Sequence, residues 1–295
     1  MTEVSVMMTL FGEGRDGDTV RTVVDSWLDQ DISCEVVIAT DGDTRLGPEF
    51  AGRDDDRVRV VASSTETPSR GVLGNVAAEA AQGDWLYISD MDVVPLSRSY
   101  LRDAKAAAEA VGGFLAQPRM LRLVGMPPAG PPWRWALPDS SNTGCFVRRG
   151  ELGELVNLPG ETVFVWSDFD GQLWVDPPAQ LAASRADEFS RRPALHWGAV
   201  LVDRQRFASV GGYCEQYVGW GCEDEDLLHK LTATAPAVKA WAQRGNLLCL
   251  HFEHGPARDT PEYETNRVRL EERRNSGAEA MIADDLRRTN ASELR

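Results

Sequence analysis

Three short stretches carry residue types able to do chemistry. The first is "SDMD" (Ser89–Asp92), which sets Asp90 and Asp92 one residue apart. Two carboxylates at that spacing can share a divalent cation and the diphosphate it bridges. Mg2+ and Mn2+ take oxygen ligands and keep part of their shell for phosphate or water. Aspartate is also an ordinary turn residue after a strand. The chain has other such clusters, at "DGD" (Asp41–Asp43), "DDD" (Asp54–Asp56) and "DFD" (Asp168–Asp170). Asp90 and Asp92 are favoured because a strongly apolar strand-like run precedes them.

The second stretch is "CLHFEHG" (Cys249–Gly255), with His251 and His254, two of the four histidines of the chain. A neutral imidazole is a common ligand for Mn2+ or Zn2+. A histidine satisfied by backbone groups is the plainer alternative. His251 is the first choice of ligand because it is nearer the strand end, and His254 the second.

The third is "GWGCEDEDLLHK" (Gly219–Lys230), with acids at every position from Glu223 to Asp226. Acids in a first helical turn complement the helix dipole by a few tenths of a kcal/mol each, ~0.3 or more, and that alone accounts for them. The functional alternative puts Glu223 and Asp224 in a cleft behind the Gly-Trp-Gly turn, where a carboxylate can take a proton from an attacking hydroxyl. Trp220 then offers a flat apolar face suited to the C–H face of a sugar. The helical period makes Glu225 and Asp226 solvent or capping acids and buries Leu227 and Leu228.

These stretches need elements to position them. "VSVMMTL" (Val4–Leu10), "CEVVIAT" (Cys34–Thr40), "RVRVVAS" (Arg57–Ser63) and "DWLYISD" (Asp84–Asp90) read as buried strands. Val20, Val23, Val24, Trp27 and Leu28 recur on one face of a helix, and "GNVAAEAAQG" reads as a second helix with Gly83 as its stop. Strands alternating with helices imply a mostly parallel sheet with ligands at the carboxyl ends of its strands. Thr9, Asp41, Asp43, Asp90 and Asp92 stand at those ends. The proline-rich "MPPAGPPWRWALP" (Met126–Pro138) predicts an irregular loop or lid carrying Trp133 and Trp135. Residues 150–193 show no clear period and predict loops with a short helix. "HWGAVLVDRQRFASVGG" predicts a strand, a turn and a Gly-Gly stop. "DTPEYETNRVRLEERR" predicts a helix with Pro261 at its first position.

The chain has 295 residues and a formal net charge of -15. Nucleic acid is excluded as the main partner, since phosphate backbones need a basic surface. No apolar run approaches a membrane span, and Glu3 stands where a signal peptide would carry basic residues. The five widely spaced cysteines read as reduced packing thiols. The expectation is a cytoplasmic protein of one domain, with a homodimer open.

With a βα start, a D-x-D after the fourth strand, a Gly-Trp-Gly-x-Glu-Asp turn and a strand-end histidine in order, the chain resembles nucleotide-sugar glycosyltransferases of the GT-A fold. Its N-terminal part is similar to the large bacterial family of inverting glycosyltransferases, with "SVMMTLFG" and "ATDGD" at the usual motif positions. The segment "VDRQRFASVGGYCEQYVGWGCEDEDLLHKL" is similar to the galactosyltransferase C-terminal motif over some thirty residues, and it is the specific match. The resemblance implies an α/β fold with a Rossmann-like sheet. Residues 1–115 would form the nucleotide-sugar half, 116–259 the acceptor half and 260–295 a helical tail. It implies a UDP-sugar donor, Mn2+ or Mg2+ as cofactor, and a small-molecule, glycan or peptide acceptor. Thr9 and Phe11 would line the nucleoside, Asp41 the uracil edge, and Asn75 the diphosphate. The family arginine beside that asparagine is missing here, which leaves either Arg70 as its substitute or a site without that contact. Asp90 would touch ribose or metal, and Asp92 with His251 or His254 the metal. Trp220, Gly221, Glu223 and Asp224 would form the acceptor side, with Asp224 as base. A sugar nucleotidyltransferase is the runner-up, but "FGEGRDGD" supplies only Arg15 to a phosphate loop. A non-catalytic carbohydrate-binding protein is the alternative from a different class.

Overall fold

The computed structural model describes residues 1–10, 17–42, 55–63, 69–137, 146–158, 162–165, 173–176, 192–240, 247–253 and 261–293. Val4–Leu10 (β1) buries every side chain except Thr9, and Cys34–Thr40 (β2) buries all of its side chains. Strands buried on both faces require a layer on each side. Gly17–Leu28 (α1) supplies one with the five apolar residues of its periodic face, all of them buried. Arg70–Ala80 (α2) supplies the other. Val4, Val6 and Met8 pack with α1, whereas Met7, Val37 and Ala39 pack with Leu73 and Ala77 of α2. The alternation follows from the two-residue period of a strand.

Val58–Ala62 (β3), Trp85–Ile88 (β4), Phe114–Ala116 (β6), Val200–Asp203 (β13) and Ala237–Lys239 (β14) complete a seven-stranded sheet in the order β14-β6-β13-β4-β1-β2-β3. β13 runs antiparallel to β4 and β6, and the other neighbours are parallel. Tyr100–Ala110 (α3) covers the α1 face, while Arg204–Ser209 (α4) and Glu223–Thr234 (α5) cover the α2 face. A second sheet has the order β5-β15-β7-β8-β9, from Val93–Pro95 (β5), Leu248–Phe252 (β15), Arg119–Val124 (β7), Phe146–Arg149 (β8) and Leu155–Asn157 (β9). Pro261–Ser276 (α6) and Ala278–Glu293 (α7) close the chain against α5.

The α2 boundaries differ from the sequence expectation. Ser69 caps the helix by accepting from the Val72 N–H at 3.1 Å, so Arg70 is already helical. The helix ends at Ala80, before Gly83. That glycine is there for close approach: a Cβ on it would lie 2.7 Å from the Ser5 nitrogen. The segment 150–193, expected to hold loops and a short helix, holds turns and strands but no helix among its described residues. Thr162–Val165 (β10), Leu173–Asp176 (β11) and Arg192–Pro193 (β12) form a small antiparallel sheet. Pairing with neighbouring strands selects these short segments, and none of them alone carries a period for it.

Candidate functional site

The site lies at the carboxyl ends of β1 and β4. The register Met7↔Ile88 and the Ser89 N–H bond to the Met7 carbonyl place Ser89 and Asp90 immediately beyond the sheet, level with Thr9. Thr9 is half-buried, and so is Asp41, which follows β2. Phe11 and His254 lie outside the described residues.

Arg70 is the hub. Its position at the start of α2, fixed by the Ser69 cap, sends a buried guanidinium toward three acids. Nη2 lies 2.8 Å from Asp90 Oδ1, Nη1 lies 3.1 Å from Asp224 Oδ2, and Nε lies 3.9 Å from Glu223 Oε1. The α5 acids reach it because the preceding turn is tight. Gly219, Gly221 and Cys222 all have positive φ, and Cys222 is the helix N-cap without a side-chain bond. A β-type bridge between Ser69 and Gly219 joins this turn to the start of α2. Gly198 leaves room for the ion pair, since a Cβ there would fall on Arg70 Nη2 and Asp224 Oδ2.

One buried cation cannot neutralise three carboxylates, of which Glu223 is buried and Asp90 and Asp224 are half-buried, and the protonation states divide accordingly. Burial and the adjacent Asp224 carboxylate push the Glu223 carboxyl up to about 8, more than Arg70 pulls it down. Asp224 is also raised, by burial first, with Arg70 opposing. Burial works against the Asp90 carboxylate as well, but Arg70 and the hydrogen bond from His196 hold it far below its ordinary value. Near neutral pH, Glu223 keeps a proton while Asp90 is ionised.

Two residues of this cluster escaped the sequence reading. His196 Nε2 lies 2.8 Å from Asp90 Oδ2. The Tyr213 hydroxyl donates to Asp224 Oδ1 at 3.0 Å. Tyr213 is in turn fixed by Asn75, whose amide accepts from its N–H at 2.8 Å and donates to its carbonyl at 3.0 Å and to Glu215 at 2.9 Å. Asn75 thus uses its amide on the loop whose Tyr213 hydroxyl meets Asp224. The only available signal was that His196 and Tyr213 both adjoin glycine-containing turns.

Asp92 and His251 form a separate pair. The antiparallel β5–β15 register, His251↔Val93, and the bond from the Phe252 N–H to the Asp92 carbonyl bring them side by side. Asp92 Oδ1 and His251 Nε2 are 3.6 Å apart, and both residues are buried. Behind His251, Glu253 accepts from Arg122 at 2.7 Å and from Arg192 at 3.1 Å, and its Oε2 lies 3.7 Å from His251 Nδ1. Burial alone would raise the Glu253 carboxyl, but Arg122 draws it below the usual range. Asp90 meets Arg70 and His196 through its carboxylate, while Asp92 and His251 stand together as a second acid–imidazole pair. A carboxylate oxygen and an imidazole nitrogen fit Mn2+ and, less well, Mg2+, with phosphate and water left to complete the shell. No group of three or more metal-binding side chains occurs among the described residues.

The acids of α5 divide differently from the sequence expectation. Asp226 is fully buried, not a solvent acid. It receives the Tyr217 hydroxyl at 3.0 Å and Arg273 Nε at 2.5 Å, and it lies 3.6 Å from Lys230. Glu225 is half-buried and pairs with Arg274 at 3.2 Å. The two arginines come from α6, forty-seven or more positions away in the chain. The four described cysteines are buried and free, and burial raises every thiol, as expected of packing residues.

Residues 182–254 match the family profile described as the N-terminal domain of galactosyltransferase. No curated protein matches the chain. Among solved structures, GalNAc-T7 with UDP, GalNAc and Mn2+ superposes with a TM-score of 0.58 at 14% identity, over 92% of this chain and 48% of that one. The mannosyltransferase PcManGT from Pyrobaculum calidifontis, solved with GDP-Man and Mn2+, gives 0.49 at 16% identity, over 91% and 61%. S. aureus TarS 1-349 gives 0.43 at 15% identity, over 86% and 59%. The chain therefore spans roughly half to three-fifths of the length of these structures. No described helix is long and apolar enough to cross a membrane. The chain has the GT-A fold of glycosyltransferases, and over residues 182–254 its sequence matches the galactosyltransferase family.

Proposed function

We propose that this protein transfers a hexosyl or N-acetylhexosaminyl group from a UDP-sugar to an acceptor hydroxyl, with inversion at the anomeric carbon. The observation that carries the reading is the Arg70 guanidinium, which spans the D-x-D carboxylate Asp90 and the α5 carboxylate Asp224. It joins a donor side to an acceptor side at the strand ends. The GT-A neighbour solved with UDP, GalNAc and Mn2+ supports a nucleotide-sugar donor and a divalent cation.

Thr9, Phe11 and Asp41 hold the nucleoside, and Asp90 with Arg70 holds the ribose and diphosphate. Asp92 and His251 hold the cation, Mn2+ or Mg2+, with His254 as the reserve ligand. When bound, that ion acts as a Lewis acid on the departing diphosphate. Trp220 and Gly221 receive the acceptor, with Glu223 beside its hydroxyl. Asp224 Oδ takes the hydroxyl proton as the acceptor oxygen bonds to the anomeric carbon. The bond from that carbon to the diphosphate oxygen breaks, and its electron pair leaves with UDP. A raised carboxyl makes Asp224 a stronger base than a surface aspartate, and burial keeps water from it. Positioning and electrostatics supply most of the rate.

The test screens UDP-, GDP- and dTDP-sugars by thermal shift with Mn2+, then assays transfer with the best donor. Asp224→Asn should lower kcat by about 10²–10⁴-fold and leave donor affinity unchanged. An unaltered kcat removes Asp224 as base. Full activity in EDTA removes the cation. A product that retains the donor's anomeric configuration removes the one-step scheme. Tight UDP binding without turnover of any donor points to a carbohydrate-binding protein.

A further inference from the structure

The Gly-Trp-Gly turn is held from outside the 182–254 segment. Asn266, on α6, is 1% exposed and inserts its amide into the turn. Nδ2 donates to the Val218 carbonyl at 2.9 Å and to the Trp220 carbonyl at 3.3 Å, and Oδ1 accepts from the Val218 N–H at 3.3 Å. Three backbone groups that a tight glycine turn leaves without ladder partners are met by one side chain. The ring of Tyr263, one helical turn earlier, lies 5.7 Å from that of Trp220, and a Cβ on Gly221 would strike it at 2.6 Å. Further along α6, Arg269 donates to the Gln216 carbonyl, Arg273 to Asp226 and Arg274 to Glu225. Lys230 of α5, fully buried, is met at 2.5 Å by Asp285 of α7. The turn thus has two tethers: the Ser69 bridge on the Arg70 side and Asn266 on the other.

We propose that the C-terminal helix pair is part of the acceptor machinery, and that Asn266 is a positioning residue that sets the backbone of Val218–Trp220 and, through it, the direction of Asp224. This inference rests on the glycosyltransferase reading for its kinetic consequence. It does not rest on it for its mechanical one. The turn carries the proposed acceptor face (Trp220) three residues before the start of α5, and positive φ at Gly219, Gly221 and Cys222 leaves it few local restraints. Without Asn266, the three backbone groups must find other partners and the base must lose its fixed bearing. The Arg70–Asp90 contact, on the opposite tether, is untouched.

The experiment compares wild type with Asn266→Ala and with Asn266→Asp, which keeps volume and the acceptor oxygen but cannot donate. Two readouts are needed. Amide hydrogen exchange should speed up in 218–224 and stay unchanged in β1, β2 and β4. Steady-state kinetics should show kcat for transfer lowered by about tenfold or more and acceptor KM raised, with donor Kd by calorimetry within about twofold. Asn266→Asp should show the same pattern, since both lost bonds are donations. Exchange that stays at the wild-type rate in 218–224 overturns the tether. Transfer and donor binding that fall together, with exchange rising across the whole sheet, overturn the positioning role in favour of general stability. Wild type that transfers no sugar refutes the glycosyltransferase reading alone, and the exchange result still decides the tether.

Discussion

Glu223 makes a sharp test of the electrostatics. It is 2% exposed, and its Oε2 has no hydrogen-bond partner among the described residues. Burial and Asp224 raise its carboxyl from an ordinary 4.5 to about 8. In the unfolded chain the group loses its proton near the ordinary value, while the folded protein keeps it up to about 8. Across that window the folded state binds more protons, so the contribution of Glu223 to stability is complete below the lower value and is lost as pH rises through the higher one. Each pH unit of the interval is worth about 1.4 kcal/mol. Between pH ~5 and ~8 the loss therefore reaches a ceiling of about 4 kcal/mol. Glu223→Gln keeps the neutral shape and cannot titrate. Urea denaturation of both proteins at pH 5, 6, 7, 8 and 9 should show the variant gaining on wild type by up to that amount, with a plateau above pH 8. Titrating groups outside the Arg70 cluster cancel in the difference, while Asp224 and Asp90 interact with the Glu223 charge and their response belongs to the same window. A gap independent of pH would show that Glu223 ionises normally and would refute the charge division around Arg70.

Two further outcomes follow from the packing. Asp285→Ala leaves Lys230, with no exposure, beside a weakened set of acids, and should cost about 3–5 kcal/mol in denaturant unfolding; a loss under about 1 kcal/mol would mean the pair is solvated in solution. Gly198→Ala should displace the Arg70–Asp224 contact, because the new methyl meets only the ends of those side chains. Its Tm should fall by a few degrees, ~4, while kcat falls about tenfold or more, and equal proportional losses would count against that contact.

Much of the architecture was written in local pattern. The periodic face of α1, the uninterrupted apolar runs of β1 and β2 and the Gly-Gly stop after α4 each follow from a few neighbouring residues. Such signals survive folding because burial of a periodic face is decided locally. The segment 150–193 was opaque because its strands are selected by partners. The D-x-D and the Gly-Trp-Gly-x-Glu-Asp turn were legible as chemistry because side-chain type and spacing are themselves the signal.

Which acids do what was not legible. Asp226 reads as a helix-capping surface acid, yet α6 sets Arg273 against it, and it is buried beside Lys230, one turn further along α5. Nor did the D-x-D spacing reveal that Arg70, twenty residues earlier, and His196, more than a hundred later, meet the Asp90 carboxylate. The sequence alone determined the strand and helix order as far as Asp90, the placing of carboxylates at strand ends and the kinship of the Gly-Trp-Gly segment. Only the tertiary structure decided how charge and protons are shared among Asp90, Glu223, Asp224 and Asp226. That sharing depends on distance and dielectric between groups far apart in the chain, and both are set only when the layers close.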